Sequence, residues 1–472
     1  MTQPVARRDY SLTGTETERA ADRNLVAAPW FRPRIDAGEL QRLSERSNGR
    51  AALDTVAWLA LLVGSGWLAV ATAWSWWSIP AFALYGALYG GASDSRWHEC
   101  GHGTAFRSRR LNDIVYVVAS FMVLRGPTVW RWSHYRHHTD TIVVGRDAEI
   151  AFQRPPNLWR NALWFTGWWV IPLMVGRLVR HSMGRLDPDA AELVPAEDHR
   201  RVVWESRAFL AVLGLAAGGS LLAWTPIPIM LVGLPTVYGS WLMVFFGMTQ
   251  HAGLREDVLD HRLNTRTVYM NPVFRFLYLN MNYHVEHHIF PTVPYRNLPA
   301  LHRTVSDQLA PAVQGTLPAY RLIWNTLVRQ RRDPRYEIPL DLPPPLGGDR
   351  PVDVGLDLWH RAADGEVDLG PLRDLVPGQI SEVQLNGRPY VLYRLDRGSG
   401  TQTVVRLADG ECTHQQVRLR DGVVVDGCLE CPKHNGRFDA DTGRAVGRPV
   451  TRDLGTYPVA IRNGRMWVRF DN

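Results

Sequence analysis

Nine histidines fall into short groups whose spacing is typical of metal binding. "HECGH" puts His98 and His102 four residues apart, which places both rings on one face of a helix. "HYRHH" and "HVEHH" each supply three more, and "TQHAGL" supplies one; these are His134, His137, His138, His251, His284, His287 and His288. Imidazole is the commonest nitrogen ligand of transition metals. One buried histidine is usually a satisfied core residue, but these repeated groups predict a shared metal site.

A second set of candidate ligands lies near the C-terminus. "ECTHQQ" and "CLECPKHNGRFD" contain Cys412-x-His414 and Cys431-x-x-His434. Two cysteines and two histidines suit a Rieske [2Fe–2S] cluster, in which the cysteines hold one iron and the histidines the other. A zinc ribbon also uses this ligand set, but C-x-H pairing is unusual for zinc fingers. Cys428 is interpreted as a structural or spare thiol, and Cys100 as a packing residue.

Four apolar stretches can position the histidines. Residues 56–74 and 79–95 are separated only by "SWWS", and residues 208–224 and 227–249 only by "TP". Since about 20 helical residues span a bilayer core, the pattern predicts four transmembrane helices in two hairpins. Arginines flank the other ends of these hairpins, so the positive-inside rule puts those ends, and all nine histidines, in the cytoplasm.

Two further apolar runs are short or interrupted. Residues 114–124 and 158–175 are interpreted as interfacial or re-entrant, because a further span would upset the charge asymmetry. A fifth span over 158–175 is the alternative. The helical part that carries the histidines is expected to form a cytoplasmic cap.

Composition changes after about residue 330. A Pro-rich stretch over 331–365 is predicted to be a linker, and short β-type runs follow at 390–395, 403–407 and 466–470. The predicted domains are a cytoplasmic N-terminal segment (1–50), a membrane domain (51–330), the linker, and a mostly-β domain (366–472).

The chain has 472 residues and a net charge of +7, but no basic patch with interleaved aromatic residues, which argues against nucleic-acid binding. Four cysteines are too few for a secreted disulfide framework.

Residues 50–305 resemble the membrane fatty acid desaturase and hydroxylase superfamily, on the three histidine boxes and two apolar hairpins. The resemblance implies a non-haem di-iron centre that uses O2 on unactivated C–H bonds, with the nine histidines as iron ligands. "QHAGL" is similar to an extra motif of alkane-hydroxylase-type members, with His261 as the competing ninth ligand. The block from "QHAGL" to "HVEHHIFP" most resembles bacterial hydroxylases of the rhizopine-catabolism type. Carboxylates near the boxes are candidates to orient the rings: Glu99, Glu286, Asp94, Asp140 and Asp257.

Residues 366–472 resemble Rieske ferredoxins, with a low-potential centre expected because Gln415 and Gln416 leave no cysteine for a bridge after His414. Together the resemblances predict a membrane di-iron oxygenase that hydroxylates a C–H bond with electrons from its own Rieske domain. An acyl-lipid desaturase is the alternative.

Two other functions fit parts of the sequence. "HECGH" also matches the zinc-protease signature, with Glu99 as general base, but that site leaves six histidines unexplained. An electron-transfer or metal-sensing membrane protein is the non-catalytic alternative. No G-x-G-x-x-G follows a predicted strand, so a separate NAD(P)H-dependent flavoprotein reductase is expected. The predicted location is a bacterial-type inner membrane, in contact with lipid, with a homo-oligomer possible and the organic substrate open.

Overall fold

A computed structural model describes residues 8–26, 28–344, 366–376, 379–395, 403–433 and 435–470. The chain divides into two compact units. The first comprises Met1–Phe31, Ser47–His288 and Ala310–Leu342, and the second comprises Arg32–Arg46, Ile289–Leu309 and Pro343–Asn472. The C-terminal domain therefore shares its unit with two segments from much earlier in the chain. Residues 345–365 of the predicted linker, and His434, lie outside the described residues.

Helices make up the first unit and the two early segments of the second. In chain order they are α1 (Thr15–Asp22), α2 (Ala37–Leu43), α3 (Asn48–Ala71), α4 (Ser78–Gly86), a π-helix (Ala87–Gly91), α5 (Ala92–His102), α6 (Arg109–Met122), α7 (Pro127–Thr139), α8 (Leu158–Trp164), α9 (Val170–Ser182), α10 (Pro188–Leu193), α11 (His199–Leu222), α12 (Ile227–Leu231), α13 (Pro235–Gly239), α14 (Trp241–His251), α15 (His261–Asn264), α16 (Pro272–Leu277), α17 (His284–Ile289), α18 (Leu298–Val305) and α19 (Thr316–Arg332). Short 3-10 turns cover Ala196–Asp198, Ser306–Gln308, Leu372–Asp374 and Leu419–Asp421.

Three helical segments in the described part of the chain are long and apolar enough to cross a membrane. They are Asn48–Ala71, Ala196–Leu222 and Ile227–His251. Helices α6 and α7 would make a fourth span if counted together, but they are bent by 101°, as in a broken span or a re-entrant loop. Trp224, between two of these segments, is 95% exposed. Exposed tryptophan at the end of an apolar helix is typical of a membrane–water boundary.

The second predicted span, 79–95, is helical but is not one of those three segments. It is built from α4, the π-helix and the start of α5, and its glycines, tyrosines and Asp94 make it less apolar than the others. A π-helical turn inside a helix is often found beside a functional site. The helical membrane architecture is confirmed, while the count of four spans stays a prediction. The run 158–175 forms parts of α8 and α9 and is also outside the set of possible spans.

Small residues allow close packing beneath the first histidine box. Helices α4 and α13 approach at Gly86 and Gly239, where an added Cβ on Gly239 would overlap the backbone of Gly86. In a membrane-embedded helix pair, such small residues let backbones approach closely where hydrophobic burial offers little driving force. This approach fixes the π-helix and α5, and therefore the start of the histidine site.

The C-terminal domain of the second unit is mostly β, as predicted. Its strands are β1 (Glu366–Pro371), β2 (Ile380–Leu385), β3 (Arg388–Leu395), β4 (Val404–Asp409), β5 (Val423–Val425), β6 (Cys428–Glu430), β7 (Arg437–Asp439), β8 (Ala445–Gly447), β9 (Thr456–Arg462) and β10 (Arg465–Arg469). They form a six-stranded sheet, β1-β10-β9-β4-β3-β2, and a four-stranded sheet, β5-β6-β7-β8. All strand pairings are antiparallel among the described residues.

Alternation along β3 explains why the large sheet is buried on both faces. Tyr390 and Leu392 pack into one hydrophobic cluster, whereas Val391 and Tyr393 pack into the other, which also contains the two candidate cluster cysteines. The β2–β3 and β9–β10 hairpins turn through Asn-Gly pairs with positive φ, the residues that tight hairpin turns require.

Candidate metal centres

The first histidine box lies at the C-terminal end of α5. His98 and His102 are one turn apart and both are buried. The helix ends at Gly103, whose positive φ of 71° permits the left-handed cap that turns the chain away after His102. The helical context predicted for "HECGH" is therefore the one observed.

The second box lies on α7, which begins with Pro127 at its first turn. Tyr116 donates a hydrogen bond to the Pro127 carbonyl at 2.7 Å and so ties α6 to the start of α7. All three histidines of the box, His134, His137 and His138, are buried. The third box lies on the short helix α17, where His284, His287 and His288 are buried as well.

The structure brings all nine predicted histidines together in two groups, both within the first unit. One group holds five histidines, and the other holds four; they are His98, His102, His134, His138 and His287, and then His137, His251, His284 and His288. Within each group, one candidate ligand atom per residue lies within 4.8 Å of the others. The boxes are therefore mixed, because α7 and α17 each supply ligands to both groups.

Close nitrogen pairs show how tightly the rings converge. His98 Nε2 lies 2.7 Å from His287 Nε2, and His102 Nε2 lies 3.1 Å from His134 Nε2. In the other group, His284 Nε2 lies 3.2 Å from the Nε2 atom of His251. Since a metal ligand must present a lone pair towards a common point, these inward-facing nitrogens have the arrangement that metal binding needs.

His138 provides a test of whether a metal fits. Its side chain is buried at 3% exposure, and neither ring nitrogen has a hydrogen-bond partner among the described residues. A buried polar group without a partner is costly, so an unliganded His138 would destabilise the fold. A metal ion held by the five-histidine group would satisfy it. The residues present therefore fit a di-iron centre.

The pKa values of the histidines in the third box favour metal binding. Burial, together with neighbouring imidazoles, lowers the pKa of His284, His287 and His288 well below the ordinary value. These rings are consequently neutral at physiological pH, and the neutral imidazole is the form that binds a metal.

Hydrogen bonds behind the rings fix which nitrogen faces inward. His137 Nδ1 lies 2.8 Å from Asp147, and His134 Nδ1 lies 3.2 Å from Glu149. Burial opposes the ionisation of Glu149, but the adjacent His134, which also hydrogen-bonds to this carboxylate, lowers the pKa of Glu149 to about 2. A carboxylate on Nδ1 leaves Nε2 as the ligand atom and raises its basicity.

Two uncharged groups orient histidines of the four-histidine group. His251 Nδ1 donates to the Asn264 carbonyl at 2.8 Å, and His288 Nδ1 lies 3.2 Å from the Thr141 hydroxyl. The competing ninth candidate, His261, lies outside both groups, and its ring stacks on Trp30 with centroids 4.2 Å apart.

Asp147 and Glu149, in the loop after α7, were missed by sequence reasoning. The carboxylates proposed from the sequence have other contacts. Thr104 donates to Glu99 at 2.7 Å, and Thr267 donates to Glu286 at 2.6 Å. The three aspartates take part in ion pairs with arginine: Asp94 with Arg125, Asp140 with Arg146, and Asp257 with Arg8 and Arg23. The roles assigned to Glu99 and Glu286 remain predictions.

The two candidate cysteine ligands of the second unit lie on two loops that share one backbone hydrogen-bond pattern. The Cys412 N–H donates to the Val417 carbonyl, and the Cys431 N–H donates to the Gly436 carbonyl, both at 2.9 Å. Both cysteines are buried, and a hydrogen bond with Cys431 lowers the pKa of Cys412, so the two sulfurs are adjacent. His414 lies on the first loop and is half-buried. Two thiols brought together on facing loops can hold one iron of a cluster.

Two family models give the class of protein: buried imidazole groups on a helical membrane scaffold, with a β domain in the same chain, belong to an O2-dependent oxidoreductase that has its own Rieske domain. The family model "Fatty acid desaturase" matches residues 74–317, more than half of the sequence. The chain therefore belongs to the fatty acid desaturase family. The model "Rieske [2Fe-2S] domain" matches residues 365–458.

Several curated relatives are named as ferredoxin components of oxygenase systems. The ferredoxin component of the naphthalene 1,2-dioxygenase/salicylate 5-hydroxylase systems of Ralstonia sp. is 35% identical over 105 residues, which are 22% of this chain and 95% of that protein. The ferredoxin component of the Pseudomonas putida naphthalene 1,2-dioxygenase system is 36% identical over 102 residues, 22% of this chain and 92% of its own. A solved Sphingomonas yanoikuyae B1 ferredoxin shares 28% identity, covering 22% of this chain and 99% of its own, with a TM-score of 0.20.

Proposed function

We propose that this protein hydroxylates an unactivated C–H bond of an apolar organic molecule at its histidine site, using O2 and electrons supplied by its own Rieske domain. The observation that carries the proposal is the convergence of nine histidines into two adjoining groups of five and four. A zinc protease needs one ion and three ligands, so it uses neither the second group nor an electron carrier. Nine nitrogen ligands on two six-coordinate irons leave roughly three positions open for oxygen-derived ligands.

The chain's own residues prepare this site. When bound, the two irons would supply the reduction of O2 and the removal of hydrogen from carbon. Asp147 and Glu149 hold His137 and His134 with Nε2 inward, which keeps the ligand atoms in place through changes of metal charge. Burial of the histidines keeps bulk water away from the reacting C–H bond.

The names of the Rieske relatives favour oxygen insertion over desaturation. Several of them are ferredoxin components of systems named as dioxygenases or hydroxylases. Hydroxylation joins the substrate, O2, two electrons and two protons to give an alcohol and water. On a methoxy or N-methyl group, the same reaction would lead to demethylation.

Desaturation is the second candidate, and membership of the fatty acid desaturase family favours it. The same two electrons and two protons would then reduce O2 to two waters, while a C–C single bond loses two hydrogens. Both reactions begin with hydrogen removal, so the placement of the substrate decides between them.

The partner that supplies electrons is proposed to be an NAD(P)H-dependent flavoprotein reductase. A ferredoxin-type domain stores one electron at a time, and so it needs an upstream carrier that splits a hydride into single electrons. The site is proposed to face the cytoplasm, where such a reductase and its nicotinamide donor are available, with the helical unit in a bacterial inner membrane. The polar ends of the apolar hairpins carry the arginines, as this orientation requires.

The test is product analysis with isotopically labelled O2. Membranes containing the full chain and a reductase would be given an alkane, a fatty acyl lipid and a methoxy compound. One labelled oxygen atom in the product, absent with a His102→Ala variant, is the expected result. A new double bond without added oxygen would identify a desaturase and refute hydroxylation. Reductant consumption without any changed organic product would refute both reactions.

A further inference from the structure

The second cluster-ligand loop of the Rieske domain is held at both ends by segments from elsewhere in its own unit. The loop begins at Cys431; in the sequence, Glu430 precedes it and Asn435 follows the candidate ligand His434. Glu430 pairs with Arg46, and Asn435 donates a hydrogen bond to the Pro291 carbonyl at 3.0 Å. Both partners belong to the two early segments, Arg32–Arg46 and Ile289–Leu309, that share the unit with the Rieske domain.

The Arg46–Glu430 contact has the character of a permanent interface. Two nitrogens of Arg46 lie 2.6 and 2.5 Å from the two carboxylate oxygens of Glu430, and the side chains are only 1% and 0% exposed. Arg437 adds a third contact to Glu430 at 2.8 Å. Removing two charges from water is expensive, and only good geometry with further hydrogen bonds offsets that cost. An encounter that must dissociate in every turnover would not bury such a pair.

Further contacts extend this interface along the small sheet. Gln41 on α2 donates to the Val424 carbonyl on β5, and Arg32 donates to the Asp421 carbonyl at 2.8 Å. The guanidinium of Arg32 also lies over the ring of Phe290, 4.6 Å from its centroid. Both early segments therefore contribute to one continuous surface around the second ligand loop.

The two residues of the Asn435–Pro291 hydrogen bond lie close in sequence to candidate ligands of the two metal centres. Asn435 directly follows the candidate ligand His434, and Pro291 lies three residues after His288, a member of the four-histidine group. Within the second unit, a single hydrogen bond thus joins the residue that follows a candidate cluster ligand to a residue that lies, in the sequence, three positions after a candidate di-iron ligand. Asn435 is 3% exposed and has a φ of 53°, a conformation that asparagine tolerates better than most residues.

We propose that the second ligand loop is a built-in docking surface, permanently seated on Arg32–Arg46 and Ile289–Leu309, and that it delivers electrons within one chain through the Asn435–Pro291 contact. The inference rests on the proposed function. For each O2 consumed, two electrons cross this contact one at a time, each leaving the reduced cluster oxidised by one electron. The flavoprotein reductase restores that electron before the next transfer. The interface thereby replaces the diffusing ferredoxin of multicomponent systems.

Matched substitutions in the full chain, embedded in lipid nanodiscs, test the docking. Asn435→Gly removes the hydrogen bond and keeps the positive φ, and Asn463→Gly makes the same change at φ 50° in the β9–β10 turn. Arg46→Met removes the buried charge that pairs with Glu430. Arg42→Met is its control, because it removes an exposed charge that pairs with Glu39. Hydrogen–deuterium exchange over residues 37–43 and 289–297 should rise by about tenfold for Asn435→Gly. It should rise by about 100-fold for Arg46→Met and remain unchanged for both controls.

Electron delivery is measured by reoxidation of the reduced Rieske cluster on mixing with O2. The part of the rate that depends on the histidine site is defined by subtracting the rate of a His102→Ala variant. Asn435→Gly should lower that part by about tenfold, with the Rieske potential and electron paramagnetic resonance spectrum unchanged. Equal rates and equal exchange for Asn435→Gly and Asn463→Gly would overturn the proposal. A wild-type rate no faster than that of His102→Ala would instead refute the proposed function itself.

Complementation decides whether transfer stays within one chain. A Cys412→Ser chain and a His102→Ala chain are each expected to lack one centre, and iron analysis must first establish that each keeps the other. Co-expression in one membrane should give no more oxidised product than either variant alone. Recovery of product would show transfer between chains and overturn the intrachain route.

Discussion

The rings of His138 and His288 are stacked, with centroids 4.3 Å apart and an angle of 16° between their planes. His138 belongs to the five-histidine group and His288 to the four-histidine group, so the two candidate iron sites adjoin through this pair. Adjoining sites suit the reduction of one O2 molecule by two metals acting together. The stack also explains why α7 and α17 must be placed accurately with respect to each other, since each helix supplies ligands to both groups.

Replacing His251 and His261 separately tests which of them is the ninth ligand. Loss of a hydrogen-bond partner behind a metal ligand typically lowers metal affinity by about 10–100-fold. His251→Ala removes a ligand itself, so it should lower the affinity of the histidine site for iron by more than that. His261→Ala should leave iron content unchanged, because this ring stacks on Trp30 and lies outside both groups. The measurement is iron and acid-labile sulfide in the purified chain. Equal iron loss in both variants would contradict the assignment.

Asp147 is expected to act through His137 by holding its ring. Asp147→Asn should weaken iron binding by about 10–100-fold, because an amide is a poorer acceptor for the Nδ1 proton and makes Nε2 less basic. The control is Asp187→Asn, which alters the same kind of pair with His181, at 2.9 Å, outside the metal groups. Retention of iron against a chelator gives the measurement. Loss of iron only from the control, or equally from both, would show that the effect is one of general stability.

Sequence reasoning identified the residues that converge, but not the contacts that hold them. Box spacing places His98 and His102 on one helix face from local geometry alone. The π-helix before α5 and the carboxylate of Asp147 depend on tertiary packing, and neither has a local signal. The Arg46–Glu430 pair joins residues 384 positions apart, which no sequence pattern encodes. The assignment of Cys412 with His414 and of Cys431 with His434 rests on their spacing in the sequence and stays a prediction, since His434 lies outside the described residues.

Cys428 is expected to be dispensable for the cluster and slow to react. Burial, with a smaller contribution from Glu430, raises the pKa of the Cys428 thiol to about 11. The thiolate is the reactive form, so at pH 8 only about one thiol in a thousand is ionised, and alkylation should accelerate as the pH rises towards 11. Cys428→Ser should keep the Rieske spectrum, whereas Cys431→Ser should abolish it. Rapid alkylation of Cys428 at pH 8, followed by mass spectrometry, would contradict the raised pKa of this half-buried thiol.

The close approach of α4 and α13 should make Gly239 intolerant of any side chain. A Cβ at this position would overlap the Gly86 backbone, so Gly239→Ala must separate the two helices. Overpacking of this kind typically costs about 1–3 kcal/mol, and here it should also disturb the π-helix that leads into the first histidine box.

Gly218→Ala is the matched control, since a Cβ on this α11 glycine meets no atom within 4 Å. Thermal unfolding in detergent and iron content would be measured together. The expected result is a lower melting temperature and less histidine-bound iron for Gly239→Ala alone, with the Rieske spectrum intact. An unchanged melting temperature for Gly239→Ala would mean that the helices are not in contact at this point.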